Sequence, residues 1–233
     1  LALAKHHLDC GKINARIIVT SATLDLEKIS RFLEASKALE IKTRSYPVEI
    51  YYKAVIPRQT LSSQVCDNLK FLLPRQQGDV LIFMDGAALI KKTVNEIENC
   101  LGAKNLDVLT LFGEMSQQAQ DHALTPSQKR KIIVSTNLAE TSLTIEGVTI
   151  VIDTGTAKKH RFDPYRKVNV LLSEPISKSS ASQRAGRAGR LSPGVCLRMW
   201  SENEHTRRKE FDEAEIHRLD LSEIYLNLSL FAG

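Results

Sequence analysis

The apolar residues of this 233-residue chain cluster in short continuous runs instead of alternating with polar ones. "RIIVT" (16–20), "DVLIFM" (79–84), "DVLTLF" (107–112), "KIIVST" (131–136) and "VTIVID" (148–153) are each too short for a helix. They are apolar on both faces, which predicts strands of a parallel sheet covered on both sides. Between them the period changes. Over 86–101, Leu89, Ile90, Val94, Ile97 and Leu101 recur at helical spacing, and Gly102 supplies a stop. A shorter helix is predicted over 116–124, ended by Pro126. Strands alternating with helices predict βαβ crossovers and a doubly wound α/β sheet.

Two stretches break the rhythm. "EIYYKAVIP" (49–57) predicts a strand on a connecting arm. "KKHRFDPYRKVNVLL" (158–172) sets an Asp-Pro turn between two β-favouring runs and predicts a projecting hairpin. That hairpin is basic and carries Phe162 and Tyr165, a combination suited to single-stranded nucleic acid. An ordinary surface hairpin with buried aromatics is the competing reading. Residues 214–233 predict an amphipathic helix after a turn.

Composition narrows the class. Hydrophobic residues make up 42% and charged residues 25%, the values of an ordinary globular protein. No apolar run approaches membrane-spanning length, so no membrane partner is expected. The start has no signal-peptide pattern, and a first residue of Leu1 suggests a piece of a longer chain. Four cysteines (Cys10, Cys66, Cys100, Cys196) and six histidines lack paired or metal-ligand spacing. No metal site is therefore expected in this chain, and a reducing, cytoplasmic setting is. The net charge is +5, with the basic surplus concentrated between residues 153 and 218, which suits a phosphate-bearing partner.

The strongest local signal is "SASQRAGRAGR" (180–190). A solvated helical face mixes signs, but no acid lies between Ser177 and Leu191. On a continuous helix Gln183, Arg187 and Arg190 form one stripe, with Arg184 one residue off it. The alanines and glycines would let a ligand approach the backbone, and arginine suits multidentate recognition of phosphate. Two further stretches follow predicted strands, where open α/β sheets bind ligands. These are "TSAT" (20–23) and "STNLAETSLTIEG" (135–147). Backbone N–H groups there could meet phosphate oxygens, although a helix cap is the commoner role for Ser and Thr after a strand.

Taken in order, "SAT", "LIFMDG" (81–86), "STNLAETSLTIEG" and "QRAGRAGR" resemble motifs III to VI of a DEAH-box superfamily 2 RNA helicase. The resemblance covers nearly the whole chain and is nearest the bacterial HrpB branch. It implies a RecA-like parallel sheet of the P-loop NTPase type, with flanking helices, a projecting β-hairpin and the start of a winged-helix region. Residues 1–40 would be the tail of the first RecA-like domain, 41–213 the second RecA-like domain, and 214–233 the start of the winged helix.

The same resemblance implies roles. Gln183, Arg187 and Arg190 would face the ATP phosphates, the two arginines as fingers, with Gly186 beside the nucleotide. Thr144 and Glu146 would lie near the ribose or a metal-bound water. Thr136, Asn137 and Gly86 would touch the nucleic-acid backbone, and Ser21 and Thr23 would couple nucleotide state to domain closure. The hairpin would separate strands. ATP and Mg²⁺ would be the cofactors, with Mg²⁺ held mainly by a first RecA-like domain. Single-stranded RNA would be the partner, with DNA as an alternative.

The departures are specific. No G-x-x-x-x-G-K-[ST] loop and no DEAH box occur in the chain. Asp85 stands in motif IV where the family usually has a small residue or proline. Ala123 and Leu124 stand where many relatives carry a stacking phenylalanine. Two rival readings remain at this point: a nucleic-acid-binding module without ATPase activity, and a DNA translocase.

Overall fold

A computed structural model describes residues 2–20, 26–33, 37, 39, 46–102, 105–141, 143 and 145–232. The chain separates into two compact units, Leu1–Arg44 and Ser45–Gly233. In the first, helices α1 (Ala2–Asp9) and α2 (Leu26–Leu33) are present, with the Lys5 ammonium 6.0 Å from the Phe32 ring centroid. The strand predicted over 16–20 is absent: residues 13–20 carry no regular structure, and Ile18 is 83% exposed. A strand exists through its ladder, and no described strand pairs with this run. Ser21 and Thr23 lie outside the described residues.

The second unit is the predicted α/β sheet. Its elements are β1 (Val48–Tyr52), α3 (Leu61–Leu72), β2 (Asp79–Phe83), α4 (Ala87–Leu101), β3 (Leu106–Leu111), α5 (Gln117–Leu124), β4 (Arg130–Ser135), α6 (Leu138–Thr141) and β5 (Val148–Asp153). After these come β6 (Thr156–Asp163), β7 (Val168–Pro175), α7 (Lys178–Ala185), a 3₁₀ turn (Gly186–Gly189), β8 (Gly194–Arg198), α8 (Glu202–Arg207) and α9 (Ser222–Ala232). Six strands form one parallel sheet in the order β1-β8-β5-β2-β4-β3. The stretch expected as an arm is thus the edge strand β1, paired with β8 from Val48↔Gly194 to Tyr52↔Arg198. The amphipathic helix expected over 214–233 is confined to α9, preceded by a short 3₁₀ turn at Glu215–His217.

The strand pleat sends alternate residues to opposite faces. Val80, Ile82, Ile132, Val134, Ile150 and Ile152 pack against α3 and α4. Leu81, Phe83, Ile133, Val151 and Cys196 pack on the other face against Ala123, Ala139, Ala185 and Ala188. The small residues of the arginine-rich stretch therefore serve the core. Ala181, Ala185 and Ala188 are buried and let the stretch lie flush on the sheet, and a Cβ on Gly189 would come 2.6 Å from the Tyr46 carbonyl oxygen. Of these alanines and glycines Gly186 alone is exposed, and a Cβ there would meet no described atom within 4 Å.

The predicted hairpin is present as β6 and β7, slightly longer than expected. Asp163 Oδ1 accepts from the Tyr165 and Arg166 amides at 2.9 and 3.1 Å, and Lys167 turns the chain at φ 54°. Tyr165 is 96% exposed at the tip.

One charged network fixes α7 on the sheet. The Arg184 guanidinium, 1% exposed, donates to Glu140 Oε2 at 2.9 Å, to Asp153 Oδ1 at 2.9 Å and to the Thr156 carbonyl at 3.2 Å. It also lies 4.8 Å from the Phe83 ring centroid. Burial opposes its charge, but the Asp153 and Glu140 carboxylates override that and raise its pKa. Arg184 is therefore the structural arginine of the three, whereas a continuous stripe made it the mild one. Arg184→Ala leaves the buried Asp153 carboxylate and the partly buried Glu140 carboxylate without their cation, a loss of about 3–5 kcal/mol in a chemical-denaturation measurement. A loss under about 0.5 kcal/mol, the surface-residue scale, would remove this network from the fold's stability.

Candidate functional site

The C-terminal ends of the parallel strands carry the residues of interest. α7 is started by Ser177, whose side chain accepts from the Ser180 amide at 3.1 Å. The helix stops at Ala185, and the chain tightens into the 3₁₀ turn Gly186–Gly189. The predicted single helical stripe is thus broken after Gln183. Arg187 lies inside the 3₁₀ turn and Arg190 closes it, and three-residue spacing in a 3₁₀ turn puts both on one side.

Arg187 donates to the Leu143 carbonyl at 2.6 Å and to the Glu140 carbonyl. Burial lowers its pKa to about 10, the Arg190 charge pushes the same way, and Glu140 opposes both. Burial also lowers the pKa of Arg190, which is half-buried, as is Gln183. Glu146 sits exposed in the turn before β5. Thr144 lies outside the described residues.

A second group meets at a cleft of about 540 Å³. Gly86, Thr136 and Asn137, expected from sequence to act together, all line it. Gly86 begins α4 at φ 90°, a conformation favouring glycine, and the Lys158 stem lies 3.4 Å from where a Cβ would stand. The Thr136 amide donates to the Leu111 carbonyl at 3.1 Å, which anchors the loop after β4 to the end of β3. Asn137 is exposed, and its carbonyl accepts from the Glu140 amide at 2.9 Å to start α6. Asp85 lines the same cleft, with Oδ2 buried and no hydrogen-bond partner for it among the described residues. Burial raises its pKa, partly offset by Lys158 and the Thr156 hydroxyl. Ala123, in place of the stacking phenylalanine, is a core residue 1% exposed.

Sequence reasoning missed two members of this constellation. Glu140 binds Arg184 with its carboxylate and Arg187 with its carbonyl, and it lines the cleft. It therefore joins the arginine stretch to the Thr136–Asn137 loop. Asp153, at the end of β5, accepts from Arg184 and from the Gly155 amide. Asp153 was visible as the lone acid closing an apolar run, and Glu140 as one of two acids in the otherwise neutral run 135–147. Among the described residues no group of three His, Cys, Asp or Glu side chains could hold a metal ion, and no helix is long and apolar enough to cross a membrane.

The fold is that of a solved relative, the crystal structure of the Escherichia coli DExH-box NTPase HrpB. The TM-score is 0.81 at 32% identity, covering 91% of this chain and 26% of that one. In sequence the chain is 41% identical over 221 residues to the ATP-dependent RNA helicase HrpA of Borreliella burgdorferi, covering 92% of this chain and 27% of the relative. It is 33% identical over 215 residues to the ATP-dependent RNA helicase HrpB of Escherichia coli, covering 91% and 26%. Sequence identity thus leans towards the HrpA relative where the motifs leaned towards HrpB. The chain spans about a quarter of the length of these proteins. Residues 62–192, more than half the chain, match the helicase conserved C-terminal domain, and the chain belongs to that family.

Proposed function

We propose that this chain is the second motor domain of an ATP-dependent RNA helicase of the HrpA/HrpB type. In this reading Arg187 and Arg190 address the phosphates of ATP bound chiefly by a first RecA-like domain, and Gln183 and Gly186 complete that face. Thr144 and Glu146 serve the ribose side, and Ser21 and Thr23 couple nucleotide state to closure. Mg²⁺ belongs with the partner domain. ATP supplies the phosphoryl group whose transfer drives movement, and positioning with charge neutralisation is what these residues contribute. The cytoplasmic setting is part of the same proposal, supported by cysteines that are all free thiols.

The observation that carries the reading is the placement of Arg187 beside Arg190. Burial and then the Arg190 charge lower the pKa of Arg187, which is bonded to neutral carbonyls. An incoming anion relieves that repulsion, and the guanidinium fork fits phosphate oxygens in pairs. Gly86, Thr136 and Asn137, grouped in the cleft, supply contacts to the sugar–phosphate backbone of single-stranded RNA.

In the protein that carries this chain, Arg187→Ala or Arg190→Ala is expected to lower ATP turnover by about 10³-fold or more, the scale of an arginine finger. Lysine at either position rescues poorly, and RNA binding without nucleotide persists. Normal turnover in both alanine variants rejects the assignment. Thr136→Ala with Asn137→Ala weakens RNA binding about equally across sequences, because backbone contacts carry no base information. A changed base preference at undiminished affinity contradicts that contact. The 233 residues alone, lacking a phosphate loop and acidic box, turn over no ATP in a steady-state assay with RNA. Helicase-level turnover by this chain would overturn the division of the site.

A further inference from the structure

The cleft that gathers Gly86, Thr136 and Asn137 has the wrong charge for nucleic acid. Asp85, Glu114, Glu140, Asp212, Glu213 and Glu215 line it, against Lys158, Lys159 and Arg218. Binding of a phosphate backbone requires surplus cations. Half of these acids belong to one short segment, "EFDEAE" (210–215).

That segment is strapped along the base of the hairpin. Its main chain accepts from the Lys178 amide at Lys209 (2.9 Å) and from the Ser179 amide at Glu210 (3.0 Å). The Ser177 hydroxyl donates to Asp212 Oδ2 at 3.1 Å, and Lys178 pairs with Glu210 at 3.1 Å. The strap thus begins on the first turn of α7. Its acids then take the hairpin's cations: Lys159 pairs with Asp212 at 2.5 Å, and Arg161 pairs with Glu213 at 2.8 Å. Arg161 also binds Glu174 through two nitrogens, at 2.5 and 3.0 Å. Lys158, the residue before Lys159 on β6, also lines the cleft and is felt by the Asp85 carboxyl.

Asp212 and Glu213 also line a second cavity of about 360 Å³, where six Lys and Arg residues outnumber four acids. Lys159 and Arg218 line both cavities. The strap therefore stands between an acidic cleft and a basic one: Asp212 holds Lys159, which lines both, and Glu213 holds Arg161, which lines the second.

We propose that Asp212 and Glu213 are an internal phosphate mimic that covers Lys159 and Arg161 and limits how tightly the cleft holds RNA. This rests on the reading of the cleft as an RNA site. The pairs are partly exposed: the Asp212 and Glu213 side chains are 43% and 36% accessible. Pairs of that kind are weak and screened by salt, so a run of phosphates can displace them. The strap lowers affinity for a single strand without removing any contact. It also hangs from α7, the helix that leads into Arg187, so a shift of that helix moves the cover.

The test is RNA affinity across a salt series, with fluorescently labelled single-stranded oligouridylate and the protein that carries this chain. Asp212→Asn with Glu213→Gln keeps the shape and one acceptor oxygen on each side chain but removes the charge. The variant is expected to bind several-fold tighter at low salt. The plot of log K against log salt steepens by about 0.7 for the phosphate that Lys159 newly neutralises, since Arg161 keeps its two bonds to Glu174. Adding Lys159→Gln and Arg161→Gln to that variant abolishes the gain. Thermal unfolding of each variant checks that the hairpin remains folded. Equal or weaker binding by the charge-neutral strap, in a folded protein, overturns the cover and leaves a structural brace. A gain that survives loss of both cations overturns it too. If wild type and variant alike bind no RNA, the cleft reading falls with it; if wild type binds and the slope does not change, the cover alone is lost.

Discussion

Everything at the ligand end of this sheet depends on one buried guanidinium. Arg184 comes from α7, its two carboxylate partners from α6 and the end of β5, and its third acceptor from the start of the hairpin. Four elements, from three separate parts of the sequence, are thereby held at one point. Placing such a charge in a protein interior is unfavourable unless its partners are well aligned, so the network tolerates little displacement of any member. That rigidity sets the start of the 3₁₀ turn, and with it the side on which Arg187 and Arg190 emerge.

β2, β3, β4, β5 and α4 were legible because each is a continuous apolar run or a clean helical period, and little else competes with such patterns. β8 was not, because its five residues hold only Val195, Cys196 and Leu197 as apolar members between Gly194 and Arg198. Residues 16–20 have a better strand pattern and form none, since a ladder needs a neighbour. The arginine stretch was legible in kind but not in geometry. A helical wheel puts 183, 187 and 190 together, while the change to 3₁₀ winding after Ala185 cannot be read from residue types. Burial of Arg184 was equally invisible, because sequence shows three arginines alike and the environment makes them different. Gly86, Thr136 and Asn137 line one cleft because each follows a strand whose neighbours in the sheet are fixed.

The hairpin illustrates how a basic count can mislead. Its lysines and arginines suggested a free cationic surface. Arg161, however, is tied to Glu174 and Glu213, which raise its pKa, and Lys159 is tied to Asp212. Arg218 fastens the same strand from below, its guanidinium donating to the His160 carbonyl at 2.5 Å and its own carbonyl accepting from the Phe162 amide at 2.8 Å. Part of the positive charge is thus used in holding the hairpin upright, and the exposed tip is left to Tyr165 and its neighbours.

The one-turn helix α6 has a thermodynamic consequence. Arg187 donates to the Glu140 carbonyl within it and to the Leu143 carbonyl just beyond it. Any anion that draws Arg187 away also takes a donor from the carbonyl of Glu140, which lines the cleft together with Thr136 and Asn137. Two ligands at opposite ends of four residues then act on one local stability, and linkage requires the influence to be mutual: whatever one ligand does to the grip on the second, the second does in equal measure to the first.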